Sequence, residues 1–148
     1  MNSVILVTII NQLKKNMVPL SFREISNRLK NAALPEIDLV IGIGTGGIVP
    51  ASIVAFHLGA ELRVMVLNYR DEKNNPRYEE PKIIEKPSGN LENKNILLVD
   101  DVSVSGKTMN AAKAELKGLN VKTLAMKGKA DYVLFPEIKE CVKWPWKP

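Results

Sequence analysis

The chain has 148 residues, of which 45% are apolar and 25% are charged, and its formal net charge is +5. This length suits a single domain with a sizeable core, and no apolar run reaches the roughly 18 residues that a membrane-spanning helix needs. Cys141 is the one cysteine and His57 the one histidine, which excludes an internal disulfide, leaves no zinc site to propose and favours a cytoplasmic protein.

The basic residues are scattered along the chain rather than gathered in one block. A nucleic-acid interface is typically a clustered basic patch interleaved with aromatic residues. We therefore expect no nucleic-acid partner, and no membrane partner either.

The first half of the chain predicts alternating helices and strands. The apolar piece "SVILVTIINQL" lacks a basic leader and a cleavage site, so we interpret it as a docked helix or strand. Ser21 and Glu24 form a capping box at a helix start. A helix is expected over 4–14, within that apolar piece. The elements expected after the capping box are a strand over 38–44, a helix that ends at Gly59 and a strand over 61–68.

The second half of the chain begins with a segment of different composition. Residues 69–95 are charged and proline-containing, which predicts a long mobile loop with one short strand inside it. Elements are then expected at 96–100 (strand), 106–118 (helix), 121–126 (strand) and 132–135 (strand).

This alternation of strands and helices predicts an α/β fold with an open, mainly parallel twisted sheet. Ligands of such sheets bind at the carboxyl ends of the strands. The segments "GTGG" (44–47) and "DDVSVSGKT" (100–108) both fall at that edge, so they are the two candidate site loops.

The segment 100–108 combines two kinds of chemistry. A helix start near Gly106 offers unpaired N–H groups to a phosphate, and the hydroxyls of Ser103, Ser105 and Thr108 add donors. Asp100 and Asp101 repel a phosphate but can accept from sugar hydroxyls or help to hold Mg²⁺. A ribose 5-phosphate carries both of the groups that this segment suits.

Two better-known nucleotide motifs fit poorly. A phosphate-binding P-loop needs a glycine where Asp101 stands. "GIGTGG" (42–47) matches the dinucleotide fingerprint after a strand, but the acidic partner expected near Asn68 is absent.

The segment "ILLVDDVSVSGKT" resembles the phosphoribosyl pyrophosphate (PRPP) signature of type I phosphoribosyltransferases, with Ser105 in place of the usual threonine. "DLVIGIGTGGIVPASIVAFHLG" (38–59) resembles the pyrophosphate loop and following helix of that family. The resemblance implies one domain over 1–148, a flap from Tyr69 to about Lys82 inside the mobile loop 69–95, and a small base-binding hood over 127–148.

The resemblance also implies roles for particular residues. Asp100 and Asp101 would hold the ribose hydroxyls and assist Mg²⁺, and Arg70, Lys73 and Arg77 of the flap are candidates for contacting pyrophosphate. The implied PRPP-binding residues are Asp100, Asp101, Ser103, Val104, Ser105, Gly106, Lys107 and Thr108, with Thr45, Gly46 and Gly47 in the pyrophosphate loop.

Base recognition is implied at the end of the chain. Lys127 stands where 6-oxopurine members place a lysine that donates to the purine O6. The ending "ECVKWPWKP" resembles the W-[IV]-x-x-P-W ending of xanthine–guanine and archaeal purine members. Val142, Pro145 and Trp146 match that pattern. Cys141 stands where a stacking aromatic is expected, and Trp144 is the substitute if the segment is shifted. The plain alternatives are a surface lysine and an end segment pinned by its tryptophans.

Two departures from the family pattern bear on function. Val104 occupies the position of an aspartate that serves the purine N7, and Thr45 replaces a basic residue that often precedes the two glycines. Loss of an acid–base partner costs about 10²- to 10⁴-fold in rate.

Three hypotheses stay open: a purine phosphoribosyltransferase, a PRPP- or nucleotide-binding regulator, and a transferase for adenine or a pyrimidine. Family members usually form homodimers or homotetramers, so we expect a homo-oligomer.

Overall fold

The computed structural model describes residues 2–68 and 80–148, apart from the side chains of residues 12–15. The elements, in chain order, are α1 (Ser3–Lys15), β1 (Val18–Pro19), α2 (Phe22–Lys30), β2 (Leu39–Gly44), α3 (Ile48–Leu58), β3 (Glu61–Asn68), β4 (Lys82–Glu85), β5 (Asn95–Ser103), α4 (Lys107–Glu115), β6 (Asn120–Gly128), β7 (Tyr132–Val133) and β8 (Val142–Lys143).

One sheet holds six of these strands, in the order β4-β3-β2-β5-β6-β7. All neighbours in it are parallel except β3 and β4, which pair antiparallel. The short strands β1 and β8 form a separate parallel pair, which ties the beginning of the described chain to its end. The predicted α/β class with an open, mainly parallel sheet is confirmed.

The central strands are buried on both faces because helices cover both sides of the sheet. Every residue of β2 is buried, and its side chains alternate between two core clusters. Val40 joins one cluster with Leu97, while Ile41 joins the other with Leu98. Fully burying side chains of this size stabilises the fold by about 1.5–3 kcal/mol each. The continuous apolar runs in the sequence reflect this burial on two sides.

The predicted capping box at the start of α2 is confirmed. The Ser21 hydroxyl accepts from the Glu24 backbone N–H at 3.1 Å, and the Glu24 carboxylate accepts from the Ser21 N–H at 2.7 Å. These hydrogen bonds lower the pKa of Glu24. The cap fixes the helix so that Ile25 and Leu29 enter the core.

Element boundaries differ from the prediction around the candidate site. Strands β5 and β6 both extend beyond the predicted 96–100 and 121–126, because they continue to pair through Val102–Lys127 and Ser103–Gly128. Helix α4 ends at Glu115 rather than 118, and β7 covers only two residues of the predicted strand over 132–135. The longer β5 carries the acidic pair inside the sheet rather than beyond it.

The prediction that the first apolar segment is docked was wrong. It forms α1, but its apolar side chains are exposed, at 68% for Val4, 52% for Ile5 and 56% for Val7. Over the described residues, no helix is long and apolar enough to cross a membrane.

The predicted loop over 69–95 is described only from residue 80 onward. The expected short strand within it is β4, which pairs with the end of β3. Arg70, Lys73, Arg77 and most of the predicted flap lie outside the described residues, so their roles stay predictions.

Gly128 lets β6 pass close to the end of β5. It has a φ of +106°, and a Cβ there would lie 2.1 Å from the Ser103 carbonyl oxygen, which accepts from the Lys129 N–H at 2.7 Å. Gly118 has a comparable φ of +89° but open space around it. Gly118 and Gly128 therefore share the left-handed backbone conformation, but only at Gly128 would a side chain overlap with other atoms.

We expect Gly128→Ala to destabilise the protein clearly more than Gly118→Ala. The Gly118 variant meets the left-handed backbone penalty of about 1–2 kcal/mol, whereas the Gly128 variant must also displace β5. Urea unfolding followed by circular dichroism gives both free energies of unfolding. Equal losses would contradict the close approach of the two strands.

Candidate functional site

Two loops meet at one edge of the sheet because their strands are neighbours. Strands β2 and β5 pair in parallel from Leu39–Ile96 to Gly42–Val99, so their carboxyl ends lie side by side. The loop 44–47 follows β2 and leads into α3. The acidic pair lies in the last part of β5, and the loop after it leads into α4.

The glycines of the first loop are required by close contacts. A Cβ on Gly47 would lie 2.6 Å from the Val99 carbonyl oxygen of β5 and 2.7 Å from the Ile43 carbonyl oxygen. A Cβ on Gly46 would lie 2.8 Å from Asp101 Oδ2. The backbone of the loop 44–47 therefore lies directly against Asp101, and the two predicted site loops lie next to each other.

The aspartates are held by the backbone that follows each of them. Asp100 Oδ1 accepts from the Asp101 N–H at 2.8 Å, and Asp101 Oδ1 accepts from the Val102 N–H at 2.7 Å. Both residues are buried, at 8% and 7% exposure. This leaves the second carboxylate oxygen of Asp101 facing the loop at Gly46.

Burial, followed by the charge of Asp101, raises the pKa of Asp100 to about 8, and the nearby Lys147 ammonium acts in the opposite direction. Asp100 therefore holds a proton to higher pH than an ordinary aspartate does. A cation or a hydroxyl ligand at this edge would stabilise the ionised pair.

The second loop provides the features of an anion site. The Ser103 hydroxyl is buried and has no hydrogen-bond partner among the described residues. Gly106 has a φ of +85° and precedes α4, whose first turn has no side-chain cap. Ser105 Oγ accepts from the Lys107 N–H at 3.3 Å. A helix start without a side-chain cap from its N-cap residue, beside the unpartnered Ser103 hydroxyl, is suited to a phosphate.

Val104 projects from this loop with 73% of its surface exposed. Its side chain can take no part in proton transfer. The position lies at the candidate site, as the sequence predicts, and it carries no acid there.

The donor set of the acidic pair is compatible with magnesium. Carboxylate oxygens are the ligands that Mg²⁺ prefers, and it is commonly held by one or two carboxylates plus substrate phosphates. Among the described residues, no group of three or more acidic, cysteine or histidine side chains could hold a metal by itself. Asp100 and Asp101 would therefore share such an ion with a bound phosphate.

Lys127 lies at the end of β6, next to Val102 of β5. Its ammonium donates to the backbone carbonyls of Glu140 at 2.5 Å and Lys139 at 3.3 Å. In this arrangement the lysine ties the sheet edge to the segment before β8. Whether it also recognises a base stays a prediction.

The two tryptophans pack against each other rather than standing open. Trp144 is 3% exposed and its ring stacks on Trp146 with centroids 5.1 Å apart. Val142 is also buried in the core. These positions match the alternative of an end segment pinned by its tryptophans, and Trp144 presents no open face to a base in this arrangement.

Lys147 is the site residue that sequence reasoning missed. Its ammonium lies 2.6 Å from Asp101 Oδ2, as an ion pair rather than an aligned hydrogen bond. No spacing rule links positions 101 and 147. The two tryptophans were the available signal that this segment folds back on the body of the protein.

The architecture is that of an α/β protein whose two candidate site loops lie together at one edge of the sheet. Residues 7–142 match the family described as the phosphoribosyl transferase domain. The chain belongs to the type I phosphoribosyltransferase family.

Solved structures of similar fold include purine enzymes. A purine phosphoribosyltransferase from Pyrococcus horikoshii is 25% identical, with a TM-score of 0.73 over 90% of this chain and 95% of that one. A xanthine-guanine-hypoxanthine phosphoribosyltransferase from Helicobacter pylori is 21% identical, with a TM-score of 0.67 over 88% and 93% of the two chains, and shows the shared fold.

The curated relatives carry a different description. Transcriptional regulator GfcR 2 of Methanosarcina barkeri is 30% identical over 87 residues, and transcriptional regulator GfcR of Methanothrix thermoacetophila is 33% identical over 95 residues. These matches cover 59% and 60% of this chain but 41% and 42% of the relatives. The chain thus spans about two fifths of the length of the curated relatives it matches.

We expect Gly46→Ala to weaken binding of PRPP while leaving the fold intact. The added methyl group would meet the end of the Asp101 side chain, which can move, rather than fixed backbone. Gly47→Ala is the contrasting variant, because its methyl group would meet two backbone carbonyls and should destabilise the fold instead. Calorimetric titration with PRPP and Mg²⁺, together with thermal unfolding, separates the two effects. Unchanged binding in the Gly46 variant would contradict the contact between the two loops.

Proposed function

We propose that this protein transfers ribose 5-phosphate from PRPP to a 6-oxopurine base and releases pyrophosphate, as in purine salvage. The observation that carries the proposal is the contact between Gly46 and the Asp101 carboxylate. It joins a loop suited to pyrophosphate, a pair of carboxylates suited to ribose hydroxyls and a helix start suited to the 5-phosphate in one continuous site.

In this proposal, different residues bind different parts of PRPP. Asp100 and Asp101 accept from the ribose hydroxyls and help to hold Mg²⁺, which would arrive with PRPP and neutralise part of the pyrophosphate charge. The loop from Ser103 to Thr108 binds the 5-phosphate through hydroxyls and backbone N–H groups. Thr45, Gly46 and Gly47 face the pyrophosphate.

The acceptor is inferred from the family and from one lysine. Lys127 stands at the sheet edge beside the acidic strand, and an ammonium donor matches the O6 of a 6-oxopurine better than the 6-amino group of adenine. Its ammonium now donates to two backbone carbonyls, and a lysine ammonium has three donors, so one remains for a base. The similar fold of the purine phosphoribosyltransferase from Pyrococcus horikoshii supports a purine acceptor.

A regulator that binds PRPP or a nucleotide is the second candidate. Val104 favours it because the site can bind without the acid that 6-oxopurine turnover uses, and the curated relatives described as transcriptional regulators favour it too. Binding needs the two loops, whereas catalysis needs proton transfer as well.

The deciding experiment measures PRPP consumption with Mg²⁺ against hypoxanthine, guanine, xanthine, adenine, uracil and orotate separately, with the nucleotide product identified by mass. A product from a 6-oxopurine supports the transferase. A product from adenine or a pyrimidine alone contradicts the role given to Lys127. PRPP binding without any product favours the regulator.

We expect the double variant Asp100→Asn with Asp101→Asn to lose PRPP use. The amides keep the shape of the carboxylates but remove the charge that would hold Mg²⁺ and accept strongly from the ribose. Product formation and calorimetric PRPP binding should both fall to background, while circular dichroism confirms the fold. Retained PRPP use would show that the site lies elsewhere.

We expect Val104→Asp to raise turnover of 6-oxopurines by about 10²-fold or more, since it supplies the missing acid–base partner. The exposed position accepts the change without loss of packing. Val104→Asn is the matched control of similar size without proton chemistry. Equal kcat/KM values for the two variants would exclude a catalytic role for an acid at this position.

A further inference from the structure

Lys147 reaches the acidic pair from the segment that carries the two tryptophans. Its ammonium lies 2.6 Å from Asp101 Oδ2, and its side chain is 52% exposed, whereas that of Asp101 is 10% exposed. The ion pair therefore has one buried partner and one partner that still faces solvent.

The position of Lys147 is fixed by packing. Trp144 is buried and stacks on Trp146, and the Lys147 N–H donates to the Trp144 carbonyl at 3.1 Å. Phe22 of α2 lies 6.3 Å from Trp146, centroid to centroid. These contacts hold the backbone of Lys147 in place. The position of its ammonium next to Asp101 therefore follows from the packing of the segment that carries it.

The oxygen that Lys147 contacts is also the oxygen that lies against Gly46. The ammonium is therefore at the junction of the acidic pair and the pyrophosphate-type loop. A lysine ammonium has three donors. Over residues 2–68 and 80–148, Asp101 is the one partner that the structure gives it, which leaves donors for a ligand.

The loop itself lacks a cation where the family often has one, because Thr45 stands there with an exposed, neutral side chain. We propose that Lys147 supplies positive charge to the pyrophosphate subsite, with its ammonium bridging Asp101 and the pyrophosphate group of bound PRPP. The inference rests on the proposed function, since it takes PRPP to be the ligand of this site.

A competing role is a latch, in which Lys147 blocks the acidic pair and must leave before a ligand binds. The two roles predict opposite effects when the charge is removed. A bridge makes loss of the ammonium weaken binding of pyrophosphate-containing ligands, whereas a latch makes the same loss strengthen it.

The test compares Lys147→Met with Lys143→Met by calorimetric titration. Lys143 lies in the same segment and its side chain is exposed, so its variant loses the same net charge away from the site. The ligands are PRPP, inorganic pyrophosphate and ribose 5-phosphate, each with Mg²⁺.

We expect Lys147→Met to bind PRPP and pyrophosphate about tenfold to a hundredfold more weakly, because a charge-assisted hydrogen bond is lost. Binding of ribose 5-phosphate should change by no more than about twofold, as should all three affinities of Lys143→Met. Lys147→Arg, which keeps the charge, should retain most of the PRPP affinity.

Tighter PRPP binding by Lys147→Met would establish the latch and overturn the inference. Unchanged affinity, or an equal loss for ribose 5-phosphate, would also overturn it, the latter by showing that Lys147 acts through the position of Asp101. Failure of the unaltered protein to bind any of the three ligands would overturn the proposed function as well. The two failures are therefore distinguishable.

Discussion

The structure depends on burying two adjacent carboxylates at the end of a central strand. Burial of a charged group without partners is costly, and the raised pKa of Asp100 reflects that cost. The surroundings compensate in a specific way: backbone N–H groups hold one oxygen of each carboxylate, and the Lys147 ammonium meets the remaining oxygen of Asp101. The glycines of the neighbouring loop then bring backbone against the pair. A buried acidic pair of this kind is poor for stability and good for a ligand that supplies hydroxyls and a cation.

Much of this site was predictable because it follows local rules. A buried parallel strand has a continuous apolar run, a capping box has a fixed spacing, and parallel strands end at one edge. These rules identified β2 and β5, the start of α2, and the two loops that meet. Element boundaries were less accurate, because the ends of β5 and β6 are set by their mutual pairing rather than by their own sequences.

The remaining features depend on contacts between residues that are far apart in the sequence. Lys147 and Asp101 are brought together by the packing of Trp144 on Trp146, and no periodicity encodes that fold-back. The same packing explains why Trp144 is buried rather than presented to a base. For α1, its composition predicts a buried surface, and nothing in its own sequence says whether the rest of the chain covers it. The composition of a helix indicates that its apolar side chains tend to be buried. Which surface covers them depends on the fold of the whole chain.

In the proposed function, binding and catalysis would depend on different residues, and the departures from the family pattern fall unevenly between them. The residue types that would hold a ribose and its 5-phosphate are all kept, and the ribose side of the site needs no side chain that titrates during a reaction. At Val104 the departure removes proton chemistry, and at Thr45 it removes a positive charge, which an ammonium from the end of the chain is placed to replace. Since a phosphoribosyl site can keep its affinity while its acid–base group is lost, one scaffold can serve both a transferase and a ligand-sensing regulator. In the proposed function, the distinction between the two would be chemical and local, and it would lie in the loop after β5 rather than in the fold.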